Sequence, residues 1–176
     1  MTAQIREILH YNDQQYGMAS EPLDDYFWKS GIDFQPVFTK TSCWRGYVGE
    51  WEIKDNKLYL TKLKGRGHIL DKDRFREGRL ALRRKLKEGL ITPQQNGHLL
   101  KDLKKECTDD VSFTKETFFP GKGKVFADWF SGIIRAPFGE MLEYVHAGYE
   151  SVFENNLLLE FKEGILTGQR TVGSQI

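Results

Sequence analysis

Two cysteines and four histidines are the residues in this chain with the widest choice of chemistry. Cys43 can form a nucleophile and base pair with His10, His68 or His146, because a neighbouring imidazole can take the thiol proton. No orienting third group and no oxyanion-type loop accompanies them, so a small buried thiol beside Trp44 is the favoured interpretation. The histidines also lack H-x-x-x-H and H-E-x-x-H spacing. The sequence therefore predicts no metal site.

Carboxylates are the second candidates for chemistry. Asp128 and either Glu140 or Glu143 can form an acid–base pair if two strands of one hairpin bring them together. The favoured interpretation is that these carboxylates are solvated on exposed strand positions, because charged side chains are mostly exposed. A hydrolase-type enzyme using Cys43, or Asp128 with His146, is kept as an alternative. The sequence predicts no catalytic residue and no cofactor.

Aromatic residues beside arginines give the best candidate binding surface. Tryptophan and arginine are enriched at binding hot spots, and Arg45 and Arg135 each lie next to strand aromatics. The other interpretation is packing, because a chain with 13% aromatic residues needs such rings in its core. The predicted binding residues are Trp44, Arg45, Tyr47, Asp128, Trp129, Ser131, Arg135, His146 and Tyr149.

Basic residues are concentrated in one segment. Residues 71–106 contain eleven Lys/Arg against six Asp/Glu, whereas the chain as a whole has a net charge of +1. The predicted basic face consists of Arg76, Arg79, Arg83, Arg84 and Lys87. Such a face can contact phosphates, so nucleic-acid binding through a helix at 72–87 is an alternative function. Interleaved acidic residues favour a solvated helix face, and nucleic acid is not the predicted partner.

The stretch 44–63 is the element around which the rest is organised, and it predicts a β-hairpin. Trp51 and Ile53 share one parity and Leu58 and Leu60 share another, while residues 55–57 supply turn chemistry. A register set by that turn brings both apolar rows onto one face.

The apolar period changes from two to about 3.6 near residue 70 and changes back after residue 107. Two amphipathic helices joined at G-L-I-T-P are predicted, with Thr92 as cap and Pro93 in the first turn of the second helix. We expect this inserted hairpin, at 71–107, to dock through its leucines and to present its basic face outward.

The other segments predict further strands and one short helix. A hairpin with a turn at Asn12-Asp13 is favoured over a helix at 5–16, and a helix capped by Ser20 should end near Gly31. The remaining predictions are a loop or edge strand at 34–38, a strand at 111–119, a hairpin at 125–145 turning near 137–139, a meander at 151–166 turning at 154–156, and a frayed tail after residue 167. The fold class is therefore α+β with a mainly antiparallel sheet.

Three runs carry a resemblance: C-W-R-G-Y-V-G-E-W-E-I-K-D-N-K-L-Y-L at 43–60, F-A-D-W-F-S-G-I-I-R at 126–135 and H-A-G-Y-E-S-V-F at 146–153. They resemble the hallmark segments of a family of small bacterial proteins of unknown function, and the resemblance implies no catalytic residue. The segment 80–105 weakly resembles the SHOCT helical hairpin, which is associated with oligomerisation or anchoring. It departs from that pattern by having Gln94 and Gln95 after G-L-I-T.

Composition limits the broad class. A chain of 176 residues with 39% hydrophobic content fits one domain, taken here as 1–176. The two cysteines form no C-x-x-C pair. The sequence has no apolar run long enough for a transmembrane helix, and its N-terminus lacks the apolar region of a signal peptide. The sequence therefore predicts a cytoplasmic protein without membrane contact.

The predicted function is a non-enzymatic protein-binding or regulatory module, in the manner of a small inhibitor or immunity protein. The charge of +5 in 71–106 against −4 elsewhere also predicts self-association through the insertion. A stable dimer would need burial of Leu80, Leu86, Leu99 or Leu103.

Overall fold

The computed structural model describes residues 2–37 and 40–174, and within them it contains ten strands and four helices. The strands are β1 (Glu7–Tyr11), β2 (Gln14–Met18), β3 (Phe34–Pro36), β4 (Tyr47–Lys54), β5 (Lys57–Leu70), β6 (Thr108–Thr114), β7 (Val125–Phe126), β8 (Gly132–Glu143), β9 (Val152–Lys162) and β10 (Ile165–Gly173). The helices are α1 (Pro22–Ser30), α2 (Lys72–Lys87), α3 (Pro93–Glu106) and α4 (Lys115–Phe118). This confirms the α+β class. Phe38, part of the predicted loop or edge strand, lies outside the described residues.

The central hairpin of β4 and β5 is confirmed. Asp55 and Asn56 form its two-residue turn with φ of 51° and 58°, the left-handed conformation that asparagine and aspartate tolerate. This turn pairs Ile53 with Leu58 and places Trp51 opposite Leu60, and all four side chains are buried. β5 is longer than predicted and runs on to Leu70.

One curved sheet contains every strand described. Its main path runs β2-β1-β4-β5-β10-β9-β8, with β3, β6 and β7 pairing along β5. The pairs are antiparallel except β1 with β4, which is parallel. The two ends of the path meet, since the Ala19 amide donates to the Arg135 carbonyl at 2.8 Å and the rings of Tyr16 and Phe138 meet edge to face. The curvature thereby shields both edges of the sheet.

The core lies on the concave side of this sheet, because successive side chains of a strand point to opposite faces. In β4 the buried positions alternate from Tyr47 to Ile53. Fully buried side chains from five further strands meet them: Leu9, Met18, Leu58, Leu60, Ile134 and Leu159. Helix α1 covers one end with Leu23 and Phe27.

The predicted hairpin at 125–145 is wrong. β8 runs unbroken from Gly132 to Glu143 and pairs with β9. Its register shifts between Phe138 and Met141, and Gly139 has a φ of 86°. The Pro-Phe-Gly sequence therefore marks a β-bulge within a strand, where the lost proline N–H is tolerated, and not a turn.

The C-terminal hairpin of β9 and β10 turns at a different place from the one predicted, and it is longer. Residues 154–156, predicted as a turn, lie inside β9, where Asn155 and Asn156 pair with both β8 and β10. The turn of this hairpin is at Glu163-Gly164, both with positive φ. The tail does not fray after Thr167, because β10 continues along β9 as far as Gly173.

Two shorter elements also differ from prediction. Ser20 does not cap α1, since Glu21 is the N-cap residue and the Ser20 hydroxyl accepts from the Arg135 amide at 2.9 Å. The predicted strand at 111–119 ends at Thr114, where the helical turn α4 begins. The Thr114 amide donates to the Thr117 hydroxyl, a capping contact that favours the turn.

The inserted helical hairpin has the predicted ends but not the predicted docking. The Thr92 hydroxyl accepts a hydrogen bond from the Gln95 backbone N–H, and the Gln95 side-chain oxygen accepts one from the Thr92 backbone N–H. Pro93 occupies the first turn of α3. However, no residue of α2 or α3 is buried. The helices pack on each other where Leu103 lies over Gly78, and the hairpin extends from the ends of β5 and β6. In the described part of the chain, no helix is long and apolar enough to cross a membrane.

Candidate functional site

Four of the predicted binding residues come together at the end of the sheet that α1 covers. Trp44 and Arg45 lie in the turn before β4, Tyr47 begins β4, and Tyr149 lies in the connection from β8 to β9. All four line one open cleft of about 970 Å³ beside α1. We call it the aromatic cleft. Its walls also contain Glu21, Asp24, Phe27, Trp28, Asp33, Phe34 and Lys72.

A buried ion pair lies behind this cleft. Glu7 on β1 is fully buried, and its Oε1 accepts from Arg45 Nε at 3.2 Å. Its Oε2 accepts from the Trp51 indole N–H at 2.5 Å. Arg45 Nη1 donates to the Tyr149 hydroxyl at 2.5 Å, and that hydroxyl donates to Glu21 at 2.8 Å. A chain of charge-assisted hydrogen bonds thus joins the core to the cleft.

This environment changes the acidity of its members. Burial raises the pKa of Glu7 to about 7, although Arg45 and the Trp51 hydrogen bond act in the opposite direction. Burial, together with the nearby carboxylates Glu7 and Asp24, raises the pKa of Tyr47 well above its ordinary value. Tyr47 therefore stays protonated at neutral pH and donates to Asp24 Oδ1 at 2.6 Å.

Gly49 makes the close approach of Glu7 possible. A Cβ at this position would lie 2.6 Å from Glu7 Oε2 and 2.9 Å from the Trp51 indole nitrogen, which is closer than real Cβ atoms come. We therefore expect Gly49→Ala to lower the free energy of unfolding by about 1–3 kcal/mol, measured by urea denaturation.

Gly97→Ala is the matched control for Gly49→Ala. Gly97 lies inside α3, where an added Cβ meets nothing within 4 Å. Alanine there should stabilise the protein by up to about 1 kcal/mol, because it favours the helix. A Gly49→Ala protein as stable as the wild type would contradict the tight fit around Glu7.

Three further predicted binding residues lie outside the cleft and have structural contacts. Trp129 donates its indole N–H to the Pro22 carbonyl at 3.0 Å and stacks on Phe119. Ser131 accepts from the Glu163 amide. Arg135 donates to the Tyr149 carbonyl at 3.2 Å. Trp129 therefore matches the packing interpretation, and Arg135 braces the chain that carries Tyr149.

The residues of the enzyme alternative are not brought together. Asp128 is exposed just before β8, while Glu140 and Glu143 lie near the far end of that strand, about 26 and 36 Å along it from Gly132 at the usual rise per residue. His146 is exposed, and its ring meets the Tyr144 hydroxyl at 3.0 Å. Cys43 is buried, and its Sγ contacts the Tyr47 carbonyl oxygen. Each of these residues has its own separate surroundings.

A second cleft, of about 910 Å³, lies between the helical hairpin and the far half of β5. We call it the basic cleft. Leu70, Phe75 and Leu100 give it an apolar floor. Around that floor stand four cationic side chains, Arg79, Lys101, Lys104 and Lys105.

The acidic residues of the basic cleft are already paired. Asp33 lies 3.6 Å from Lys104, and Asp110 accepts two hydrogen bonds from Arg66, which lower its pKa. In the part of the chain that the structure describes, Arg79, Lys101 and Lys105 form no ion pair. The cleft therefore presents uncompensated positive charge beside apolar surface.

The predicted basic face is only partly in this cleft. Arg79 lines it and lies over the Phe75 ring, whereas Arg76 pairs with Asp73 on the helix surface. Arg83, Arg84 and Lys87 are exposed along α2, away from the cleft lining. The sequence missed Lys101 and Lys105, because they lie on the second helix and meet Arg79 only through the folding back of the hairpin.

Glu7 was also missed, although a signal existed. It shares the inward parity of Leu9, so a carboxylate falls in a row of core positions on β1. Such a residue needs a buried partner.

No family model, no curated protein and no solved structure matches the chain.

Proposed function

We propose that this protein is a non-enzymatic protein-binding module, in the manner of a small inhibitor, and that its basic cleft holds an acidic segment of a partner protein. One observation carries the proposal: Arg79, Lys101 and Lys105 surround an apolar floor without compensating acids in the described residues. An acidic partner segment supplies that compensation, and charge complementarity gives both specificity and fast association.

The chemistry of the partner segment follows from the two kinds of lining. Carboxylates meet the cations, and an apolar side chain between them covers Leu70 and Leu100. A protein segment satisfies both needs. A nucleic-acid strand satisfies the first need, but among the described lining residues only Phe75 and the smaller imidazole ring of His68 could stack on bases.

The helical hairpin supports the proposal in a second way. Neither α2 nor α3 contributes a buried residue, and Leu80 and Leu90 have 51% and 67% of their surface exposed. A two-helix insertion that adds little to the core leaves its surface available for recognition of a partner.

The test uses a fluorescein-labelled synthetic peptide in which glutamates flank single leucines. Fluorescence anisotropy should show binding that weakens at least tenfold in the double variant Lys101→Gln, Lys105→Gln, and that weakens with added salt. The control is Lys85→Gln, Lys87→Gln, which removes the same charge from α2 outside the cleft and should change the affinity less than twofold. Peptides with Gln for Glu, or Ser for Leu, should also bind more weakly.

Three results would contradict the proposal. Equal losses in the two double variants would show attraction to net charge alone. Tighter binding of a DNA duplex than of the peptide would favour the nucleic-acid alternative. A dimer in sedimentation experiments that dissociates in Lys101→Gln, Lys105→Gln would identify the occupant as a second copy, as the self-association hypothesis states.

A further inference from the structure

The meeting of β2 with β8 leaves a further edge of the sheet uncovered, along β10. This strand pairs with β9 over its whole length, but with β5 only at Ile165. The Leu166 amide still donates to the carbonyl of Asn56, in the turn of the β4–β5 hairpin, at 2.8 Å. From Thr167 to Gly173, β10 therefore extends past the tip of that hairpin, and in the described part of the chain only β9 lies beside it.

The hydrogen bonds to β9 show which backbone groups of β10 face outward. The Ser174 amide donates to the Glu154 carbonyl at 2.8 Å, so the backbone of Ser174 points toward β9. Successive residues of an antiparallel strand alternate in this direction, and the register with β9 is regular from Gln169 to Gly173. The N–H and C=O groups of Gln169, Thr171 and Gly173 therefore point away from β9. All three residues are exposed, so a strand of another chain can reach these groups.

The other strands that pair with a single neighbour have features that hinder edge pairing, whereas β10 lacks them. β3, β6 and β7 each pair with β5 alone. β3 and β7 contain only three and two residues, and β3 ends in Pro36. β6 carries Asp109 and Asp110. Short strands, proline and charged side chains protect sheet edges, but β10 is nine residues long and Arg170 is its only charged residue.

We propose that β10 pairs in antiparallel orientation with β10 of a second copy of this chain, about a two-fold axis at Thr171. This register uses all three outward-facing residues, because Gln169 lies opposite Gly173 and Thr171 lies opposite Thr171. It also places Arg170 opposite Val172, which is 45% exposed in the single chain. A pairing centred on Arg170 would instead set two arginines directly opposite each other, which is destabilising, whereas threonine pairs are favourable.

A second copy fits this edge better than a strand of a foreign protein. In a two-fold interface the same surface serves both partners, so one free edge is sufficient. A foreign strand that adds to a sheet is selected by pockets for its alternate side chains. The recess beside β10, at Gly168, measures only about 160 Å³, and its lining includes the charged side chains of Glu160 and Arg170. It therefore offers little by which a foreign side chain could be selected.

Sedimentation equilibrium of the full chain tests the association. One added strand pair is a small interface, so we expect a weak dimer with a Kd on the order of 50 µM. Thr171→Pro should raise this Kd at least twentyfold, because it removes an outward N–H from each chain. The monomer should keep its fold, since proline is accepted on an edge strand where the missing N–H faces solvent. Thr171→Ala keeps the N–H and should change the Kd less than fivefold.

Two results of this experiment would overturn the proposal. The first is a wild-type protein that stays monomeric at about 500 µM, roughly ten times the expected Kd. The second is a dimer that forms equally well in Thr171→Pro and Thr171→Ala.

Cysteine cross-linking tests the register, and it also decides if Thr171→Pro fails to fold. In the proposed dimer the two residues at position 171 have Cα atoms about 5.5 Å apart, within the range of a disulfide. The two residues at position 169 are about 14 Å apart, beyond that range. Mild oxidation should therefore give a covalent dimer of Thr171→Cys but not of the control Gln169→Cys, since Cys43 and Cys107 are buried. Equal cross-linking of the two variants overturns the register.

This dimer is independent of the basic cleft, whose lining contains no residue of β10 among those described. The double variant Lys101→Gln, Lys105→Gln should therefore leave its Kd unchanged within a factor of two. A dimer that is lost in that variant and kept in Thr171→Pro would place self-association at the helical hairpin and overturn the proposal.

Discussion

Replacement of Glu7 by alanine should reduce the free energy of unfolding by about 3–5 kcal/mol. The reason is that Arg45 would keep its buried position while losing the carboxylate 3.2 Å from its Nε, and the Trp51 indole N–H would lose its acceptor. An uncompensated buried charge costs far more than the loss of an exposed pair. Urea denaturation at pH 8, above the pKa of about 7 at which Glu7 ionises in the folded protein, measures the change by tryptophan fluorescence.

Two further variants show whether the unpaired charge is the cause. The double variant Glu7→Leu, Arg45→Met removes both charges with similar volume, so it should recover most of the loss. Glu50→Ala removes an ion pair with the exposed Lys62 and should cost less than about 1 kcal/mol. A Glu7→Ala protein within 1 kcal/mol of the wild type would contradict a charged Arg45 in the folded state.

Local chemistry explains what the sequence predicted well. The Asp55-Asn56 turn sets the register of β4 and β5 by itself, since both residues adopt positive φ readily. The same holds for Asn12-Asp13 between β1 and β2. Thr92 and Pro93 likewise determine where α3 begins. In each case the information lies within a few neighbouring residues.

The pairing of β8 with β9 could not be predicted in that way. Its strands are joined by the irregular segment 144–151, and nothing within it imposes a register. Proline and glycine at 137 and 139 are as compatible with a bulge as with a turn, so local propensity gave the wrong answer. The choice is made by long-range packing, in which Ile134 meets Leu159 across the pair.

The aromatic cleft was half predictable for a similar reason. Trp44, Arg45 and Tyr47 lie close together in the chain, and their types alone indicated a binding surface. Glu7 and Glu21 reach Arg45 from 38 and 24 positions away, through β1 and the start of α1. Only the parallel pairing of β1 with β4 brings Glu7 behind the cleft. No periodicity in the sequence shows that strands separated by a helix will pair in parallel.

The free energy of unfolding should depend on pH through the ionisation of Glu7. Burial raises the pKa of its carboxyl group in the folded protein from 4.5 to about 7, with Arg45 opposing the change. Between these values the folded state holds a proton that the unfolded state has released. Stability contributed by this proton is fully present below pH 4.5, decreases as the pH rises, and is lost above about pH 7. The total change amounts to about 3 kcal/mol.

Chemical denaturation of the wild type and of Glu7→Gln at intervals from pH 4.5 to pH 8 isolates this contribution. Glutamine has nearly the same shape and does not titrate, so the unfolding free energy of the wild type minus that of Glu7→Gln should fall by about 3 kcal/mol from pH 4.5 to pH 8. Asp110 is not among the groups that shift the pKa of Glu7, so its titration contributes equally in both proteins and cancels. If the wild-type value minus the Glu7→Gln value stays constant or rises with pH, Glu7 is ionised throughout and Arg45 outweighs its burial.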